Sequence, residues 1–364
     1  MNFDAAVLVG RFEPFHQAHA ALLREALLLA PQVVVVIGSA HQARTPKNPF
    51  TWTERAEMIR LAAPEGERER LHFVPVRDYY DEARWVRAVR AGVEQTLAAL
   101  QSSPGTPRVV IAGHVKDATS GYLRAFPFWP FHAVERFEGA DGSQIRDALF
   151  SATQFDARDF KSRDAALEAV FAALVDQVPP STLDFLRAWV ALPFHDRLTE
   201  EWRALRDYHD AWKGTPFPPV FVTVDAVVRC AGHVLLIERG HAPGRGLLAT
   251  PGGFIESTET CWQSCLRELR EETRLAFLEP TLRDCLRAVT VFDHPYRSQR
   301  GRTITHAHFF DLGERELPEV AAGDDAAAVQ WVPIAELPAM EDRFHDDHFH
   351  MLDHFLGLTL DEHG

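Results

Sequence analysis

Short apolar runs alternate with longer amphipathic, alanine- and leucine-rich segments over the first half of the chain. A continuous apolar run that ends at glycine or polar residues is typical of a strand buried on both faces of a parallel sheet. Strands are predicted over residues 5–9, 33–37, 71–76, 109–112 and 131–135, with helices over 18–29, 84–100, 164–175 and 181–192 and one ending at residue 61. This alternation predicts a doubly wound α/β domain.

The pattern changes after residues 214–219, whose sequence GTPFPP is rich in the residues that break regular structure. Alternating positions then predict strands over 221–229, 233–238, 303–311 and 327–332, and an amphipathic helix over 344–356. The charged, aromatic segment 195–213 is compatible with a helix. We therefore predict a first domain over 1–194, a helical connector with a proline-rich linker over 195–219, and an α+β domain over 220–364.

Composition narrows the function classes. The 364-residue chain has a formal net charge of −14, which argues against a general nucleic-acid partner because phosphate-backbone binding needs clustered Lys and Arg. Its four cysteines do not form the pattern of a secreted disulfide framework. Because we find neither a signal peptide nor an apolar run of transmembrane length, we expect a cytoplasmic protein without a membrane partner.

Two histidines follow the first predicted strand. The strand ends at Gly10, and His16 and His19 then lie near the start of a predicted helix. Free backbone N–H groups and the helix dipole favour an anion such as phosphate at this position, and imidazoles add directional donors. The alternative for an isolated histidine is a buried structural residue.

Residues 10–19, GRFEPFHQAH, resemble the GRFxPFHxGH signature of the nucleotidyltransferase superfamily, in particular of archaeal-type nicotinamide mononucleotide (NMN) adenylyltransferases. The resemblance implies a Rossmann-like fold in which His16 and His19 bind the ATP phosphates. It also assigns three preceding residues to the nucleotide site, namely Gly10, Arg11 and Phe12. Ala18 replaces the usual glycine, and its methyl group would narrow the approach of the backbone to phosphate.

Two further segments resemble this family. Residues 48–55, NPFTWTER, match its NPFT..ER stretch, although a helix capped by Thr51 or Thr53 with a surface Glu54–Arg55 pair is the simpler interpretation. Residues 113–123 resemble the GxxKDxSSYYL segment of bacterial members, which implies that Lys116 and Asp117 contact nucleotide at the carboxyl edge of the sheet.

The second superfamily signature, SxTxxR, resembles residues 141–146, DGSQIR. Ser143 is expected to cap the helix and offer a hydroxyl to phosphate, and Arg146 supplies a permanently charged fork of donors. Asp141 replaces the first serine, and its carboxylate would repel a triphosphate unless it faces a cation or solvent. For the NMN site the resemblance implies Asp78 and Trp85, with core packing as the equally weighted alternative for Trp85.

Three carboxylates share one helix face in the second domain. Glu268, Glu271 and Glu272 lie at positions i, i+3 and i+4, and no lysine separates them. Oxygen ligands of this kind suit Mg²⁺ or Mn²⁺. We therefore expect metal binding, against the alternative of a solvated helix face, and the ion would polarise a pyrophosphate and activate water.

Residues 253–275 resemble the Nudix box, Gx5Ex7REUxEExGU, in which U is aliphatic. Ser257 or Thr258 is predicted to cap its helix. Arg274 occupies the glycine position that normally ends the helix in a left-handed conformation, which costs a non-glycine residue about 1 kcal/mol. We therefore expect a shifted helix end and an intact site.

The loop over 293–302, DHPYRSQRGR, resembles that of Nudix domains fused to NMN adenylyltransferases. Arg297 and Arg302 would meet diphosphate or ribose oxygens of the Nudix substrate, although a solvated basic loop is nearly as compatible with the sequence. Histidines near the carboxyl end suggest a metal site, but a polar helix face is the favoured interpretation; they are His345, His348, His350 and His354.

The two resemblances together imply a bifunctional enzyme of NAD metabolism. One domain would transfer an adenylyl group from ATP to NMN, and the other would hydrolyse ADP-ribose with Mg²⁺ or Mn²⁺. The expected partners are these small molecules, and homo-oligomerisation is possible. Two alternatives stay open: another phosphorylated acceptor for the first domain, and a Nudix domain that acts as a nucleotide sensor or on another nucleoside diphosphate derivative.

Overall fold

The computed structural model describes residues 3–100, 105–114, 125–135, 139–153, 160–323 and 325–359, without the side chain of Phe160. The chain forms two compact units, Met1–Thr199 and Glu200–Glu362. Within the described ranges, no helix is both long and apolar enough to cross a membrane. The domain limits predicted at 194 and 219 stay predictions.

The first unit contains a five-stranded parallel sheet in the order β3-β2-β1-β4-β5. Its valine-rich centre is fully buried, as expected for strands covered on both faces. The doubly wound prediction is confirmed, although the last strand is shorter than expected. The strands are β1 Ala5–Gly10, β2 Gln32–Ile37, β3 Leu71–Pro75, β4 Val109–Gly113 and β5 Phe131–Ala133.

Helices follow the strands of the first unit as predicted. Thr51 caps α2 by accepting a hydrogen bond from the backbone N–H of Glu54, which decides between the two threonines. The helices are α1 Gln17–Leu29, α2 Trp52–Ala62, α3 Glu82–Leu100, α4 Gly142–Ala152, α5 Phe160–Leu174, α6 Pro180–Trp189 and α7 Pro193–Ala211, with a 3-10 helix over Glu65–Arg70. Helix α7 begins in the first unit and ends in the second.

The second unit is built on a mixed sheet in the order β10-β11-β6-β7-β12, with β8 paired to β7 and β9 to β6. Strands β6 and β11 are parallel, and the other pairs are antiparallel. The strands are β6 Val220–Cys230, β7 His233–Arg239, β8 Leu248–Ala249, β9 Gly252–Phe254, β10 Leu286–Phe292, β11 Arg302–Asp311 and β12 Ala326–Pro333. Strand β10 was not predicted; it lies at an edge of the sheet, where Val289 and Val291 are exposed.

The helices of the second unit are α8 Cys261–Thr273, α9 Glu279–Cys285 and α10 His348–Leu356, with a 3-10 helix over Ile334–Arg343. Prediction placed the start of the last helix at residue 344. That start is wrong, because Asp346 adopts a left-handed conformation (φ 42°) that an α-helix does not accommodate. The first turn of α10 therefore forms after it.

Both ends of α8 differ from prediction. Thr260, not Ser257 or Thr258, caps the helix by accepting from the backbone N–H of Gln263 at 3.3 Å, and the Gln263 side chain accepts in return from Thr260 N at 2.9 Å. At the other end Arg274 itself adopts the left-handed conformation (φ 54°, ψ 19°). The expectation that the helix end is shifted is therefore wrong. The helix ends at the position of the motif, and the backbone of Arg274 adopts the strained conformation.

Candidate active sites

The turn after β1 is closed by an aromatic ring. Phe12 has φ 56° and its ring lies over Gly10, where a Cβ atom would come within 2.9 Å of it. Any side chain at Gly10 would displace the ring. Glycine is thus required because the turn folds back onto the end of the strand.

The two histidines meet at the start of α1. Their rings stack with centroids 3.7 Å apart, and the backbone N–H of His16 donates to Nδ1 of His19 at 3.4 Å. Burial and the neighbouring His16 hold the pKa of His19 well below its usual value, so its ring is neutral at pH 7. Nδ1 accepts this bond, and the ring also hydrogen-bonds to the backbone of Pro14, so the His19 ring is held by two backbone groups of the turn.

The two signature segments of the first unit meet at the backbone of Glu13. Arg146 donates through Nη1 to the Glu13 carbonyl and through Nη2 to the Ser143 hydroxyl at 3.2 Å. A Cβ atom on Gly142 would lie 2.6 Å from the same carbonyl oxygen, so glycine allows this approach. The arginine fork is thereby fixed beside the turn that carries the histidines.

Asp141 caps helix α4. Its carboxylate accepts from the backbone N–H groups of Ser143 at 2.8 Å and Gln144 at 3.3 Å. The prediction that Ser143 is the cap is wrong, because Asp141 is the residue directly before the helix and its carboxylate reaches both donors. The carboxylate of Asp141 is therefore directed at the N-terminal N–H groups of α4, and these donors reduce its repulsion of a nearby phosphate.

A buried ion pair supports this turn. Arg55 is 1% exposed, and its Nε lies 3.2 Å from an oxygen of Glu13. Its other donors bind the carbonyl groups of Arg11, Gly38 and Ser39 at 2.8–3.1 Å. The surface pair predicted for Glu54 and Arg55 is wrong, because Arg55 lies inside and ties together the ends of β1 and β2.

The remaining predicted residues of the first unit have separate local roles. Asp78 accepts from the Ser39 hydroxyl at 2.6 Å and from Gln42 at 3.0 Å, which fixes the loop after β2. Trp85 is half-buried against the apolar core, with its ring 5.7 Å from that of Phe126. Lys116 and Asp117 lie outside the described residues. The NMN-binding roles of Asp78 and Trp85 stay predictions.

In the second unit, Glu272 is the most buried of the three predicted metal ligands. It is 6% exposed and accepts from the backbone N–H of Gly252 at 2.9 Å. Burial, reinforced by the charge of Glu268, raises the pKa of Glu272 to about 8. Burial likewise raises the pKa of Glu268, whose carboxylate packs where a Cβ atom on Gly253 would lie.

Arg267 neutralises the exposed side of this carboxylate set. Its Nη1 lies 2.8 Å from Glu268 and 3.0 Å from Glu271, and its Nε lies 3.0 Å from Glu259. In the part of the chain that the structure describes, no three His, Cys, Asp or Glu side chains are grouped closely enough to hold a metal ion. The donor set nevertheless fits a hard cation, because the buried Glu272 and the half-buried Glu268 are close enough for the charge of Glu268 to raise the pKa of Glu272.

The arginines predicted to meet the Nudix substrate are both engaged by the protein. Arg297 is buried and forms a two-point ion pair with Asp347, at 2.7 and 2.8 Å. Arg302 donates to the backbone carbonyl of Asp293 at the base of the same loop. Their roles in substrate binding stay predictions, and Arg297 acts in the structure as an anchor of the loop.

Two of the carboxyl-terminal histidines are interior residues. His345 is 3% exposed, and His348 Nδ1 accepts from the backbone N–H of Thr250 at 3.2 Å. The predicted polar helix face is therefore wrong for this pair, because the turn at Asp346 directs both rings inward. Burial lowers the pKa of His348 to about 4, so the ring is neutral.

Comparison with known proteins bears on both units. Residues 7–101 match the family described as cytidylyltransferase-like, and residues 219–355 match the NUDIX domain. A nicotinamide/nicotinic acid mononucleotide adenylyltransferase of Acinetobacter baylyi is 30% identical over 204 residues, which cover 56% of this chain and 95% of the relative. An ADP-ribose pyrophosphatase of Methanocaldococcus jannaschii is 34% identical over 119 residues, 33% of this chain and 65% of the relative.

A crystal structure from Francisella tularensis extends over the whole chain. It is a bifunctional NMN adenylyltransferase/ADP ribose pyrophosphatase, 30% identical, with a TM-score of 0.84 and coverage of 100% of both chains. The chain belongs to this bifunctional family. A second structure of the Francisella protein, complexed with AMP and a Mn ion, is 29% identical with a TM-score of 0.85.

Membership of the NMN adenylyltransferase/ADP-ribose pyrophosphatase family confirms the resemblances found in the sequence. The family motifs did not reveal that Glu13 and Arg55 form a buried pair. The signal available was a glutamate flanked by Phe12 on one side and by Pro14 and Phe15 on the other. A charged residue in such surroundings needs a partner, but sequence alone does not say which arginine supplies it.

Proposed function

We propose that the first unit transfers the adenylyl group of ATP to NMN, giving NAD and pyrophosphate, and that the second hydrolyses ADP-ribose to AMP and ribose 5-phosphate. The observation that carries the first proposal is the meeting of the α1 start with Arg146 at the Glu13 backbone. One turn thus carries the start of α1, the neutral ring of His19 and the fixed guanidinium of Arg146. This arrangement is suited to a polyphosphate.

The first reaction is a displacement at phosphorus. An oxygen of the NMN 5′-phosphate attacks the α-phosphorus of ATP, the bond to the bridging oxygen breaks, and pyrophosphate leaves. No protein nucleophile is required, so the residues act by positioning and by stabilising charge. The His19 ring and the Arg146 fork are the groups assigned to the phosphate oxygens, and His16 fixes the His19 ring by stacking on it.

Arg55 and Glu13 are assigned as positioning residues of this reaction. Neither is placed to touch nucleotide, because both side chains are buried beneath the turn. Arg55 holds the carbonyl groups that shape the turn, and the Glu13 carbonyl in turn holds Arg146. A displacement of this pair would therefore move the donors relative to the phosphates, which strongly affects a reaction catalysed by orientation.

For the second reaction, Glu268, Glu271 and Glu272 are the residues that would hold a divalent cation, and we propose Mg²⁺. Such an ion supplies Lewis acidity at a diphosphate oxygen and lowers the pKa of water. Arg267 forms ion pairs with Glu268 and Glu271 in the structure. These ion pairs must break before the two carboxylates can bind a cation. The buried Glu272 must also lose the proton that its raised pKa favours.

The test is to incubate the purified chain with ATP and NMN, and separately with ADP-ribose, each with Mg²⁺ or Mn²⁺. We expect NAD in the first mixture, and AMP with ribose 5-phosphate in the second. Product from ATP only with another phosphorylated acceptor would replace the first assignment. Binding of ADP-ribose without hydrolysis would favour the nucleotide-sensor alternative for the second unit.

A further inference from the structure

An aromatic cluster lies beside the carboxylates of the second unit and has no part in the chemistry above. Phe221 is at its centre, with ring centroids 5.5 Å from Tyr208, 5.4 Å from Trp212 and 5.9 Å from Phe254. Trp212 and Phe254 are 41% and 38% exposed. Large rings that stay partly open beside a charged site are a binding surface for a flat ligand.

An arginine lies over the open ring of this cluster. The guanidinium carbon of Arg300 is 5.0 Å from the centroid of Phe254. Its Nε is buried and has no hydrogen-bond partner among the described residues. An arginine that stacks on a ring but leaves a donor unpaired is ready to bind an acceptor that arrives with a ligand.

The strand geometry connects this surface to the carboxylates. Consecutive residues of β9 point to opposite faces, so Gly253 faces Glu268 whereas Phe254 faces Phe221. The carbonyl of Phe254 also accepts from Arg267 at 3.2 Å, and that arginine contacts Glu268. A ligand with its diphosphate at the carboxylates can therefore lay an attached ring on Phe254.

We propose that Phe254 and Arg300 form the subsite that holds the purine base of the nucleoside diphosphate hydrolysed by the second unit, with Phe221 supporting the Phe254 ring. This inference rests on the proposed hydrolase function. A base between the two residues needs about 3.5–4 Å on each side, so Arg300 moves outward by roughly 2–3 Å when the base enters. The plane of its guanidinium then stacks on the face of the base opposite Phe254, and Nε, which lies in that plane, is free to donate to an acceptor beside the base.

The alternative role of the cluster is to pack the end of α7 against β6. The two roles differ in which ligands they affect. AMP and ribose 5-phosphate, the two products, both carry a phosphate, but only AMP carries the base. Loss of a base subsite weakens the binding of AMP alone, whereas loss of packing weakens the binding of both AMP and ribose 5-phosphate.

The test measures inhibition of ADP-ribose hydrolysis by each product, for the full chain and its variants. We expect Phe254→Leu to raise the inhibition constant of AMP roughly tenfold, since stacking on one ring contributes about that much, and to leave that of ribose 5-phosphate unchanged. Phe254→Tyr keeps an aromatic ring and should therefore leave the inhibition constant of AMP unchanged. Arg300→Lys keeps the positive charge but lacks the planar guanidinium, so it should also raise the inhibition constant of AMP.

Phe217→Leu is the matched control, because Phe217 is an aromatic residue 81% exposed and its substitution should change neither constant. Equal weakening of both products by Phe254→Leu, or unchanged AMP inhibition, would overturn the proposal. If the unsubstituted chain hydrolyses no ADP-ribose at all, it is the proposed function that fails. The two failures are thus distinguishable.

Discussion

Arg146 donates a hydrogen bond to the backbone carbonyl of Glu13, which lies 133 positions earlier in the chain. This contact joins the start of α4 to the turn between β1 and α1. It places the two nucleotidyltransferase signatures on one surface, although either segment alone would form an ordinary helix start. The geometry of the proposed phosphate site therefore depends on a backbone atom, which substitution does not remove.

The first prediction concerns the donor at the α1 start. His19→Ala should lower the kcat/KM of adenylyl transfer at least about tenfold, because one transition-state contact is worth 1.4 kcal/mol or more. ADP-ribose hydrolysis by the same preparation should be unchanged and serves as the folding control. Unchanged NAD synthesis would mean that His19 does not contact phosphate.

The second prediction concerns the buried pair. Burial already raises the pKa of Glu13 to about 8 although Arg55 lowers it, and Arg55→Met removes this partner; breaking such a buried pair typically costs about 3–5 kcal/mol. Heat inactivation of adenylyl transfer should shift to lower temperature by roughly 6–20 °C, at about 2–4 °C per kcal/mol. The measurement is residual activity after heating, with hydrolysis as the internal reference.

A double variant separates charge from packing at this pair. Glu13→Gln combined with Arg55→Met removes the uncompensated carboxyl, so it should be more stable than Arg55→Met alone. Adenylyl transfer should stay low in both, because neither holds the carbonyl groups of the turn. A double variant as unstable as the single one would show that packing, and not the buried charge, governs the loss.

The third prediction concerns pH and metal. The raised pKa of Glu272, about 8, means that a proton competes with the cation below that pH. The Mg²⁺ concentration for half-maximal hydrolysis should fall by up to about tenfold per pH unit between pH 6.5 and 8, then level off. A requirement independent of pH would contradict the burial argument.

The same carboxyl sets a stability difference without metal. Its pKa in the folded protein exceeds its usual value of 4.5, so its stabilising contribution is full below pH 4.5 and is lost as pH rises through about 8. Glu272→Gln has no such titration. In EDTA, the variant should therefore gain stability relative to the unsubstituted protein between pH 5 and pH 8.5, measured by thermal unfolding.

The fourth prediction isolates the strain at the end of α8. Arg274→Gly and Arg274→Ala both remove the side chain, but only glycine accepts φ 54° without strain. The glycine variant should be more stable than the alanine variant by about 1 kcal/mol. The difference is measured as thermal unfolding, monitored through the loss of ADP-ribose hydrolysis. Equal stability of the two variants would show that the backbone at position 274 is not strained.

The fifth prediction concerns the connector. Glu201 accepts from the backbone N–H groups of Gly244 and Arg245, and Trp202 is buried. A fragment of residues 200–364 should therefore hydrolyse ADP-ribose, whereas one of residues 220–364 should be at least about tenfold less active because it lacks these contacts. Equal activity of the two fragments would support the predicted boundary at 219.

Local sequence determined much of this protein. Apolar runs specify the strands of the first unit, because a strand covered on both faces has no polar positions. The carboxylate spacing of α8 and the glycine-bounded turn after β1 likewise follow from short segments. Family motifs are local in the same way, which is why the sequence alone predicts both activities.

Tertiary structure decided the rest. The partner of Glu13, the inward direction of His348 and the position of Arg300 over Phe254 all join residues distant in sequence. Burial also set the protonation of Glu272, because desolvation depends on what surrounds a group in space. A sequence names the charged and aromatic groups, but only the folded chain determines which neighbours compensate them.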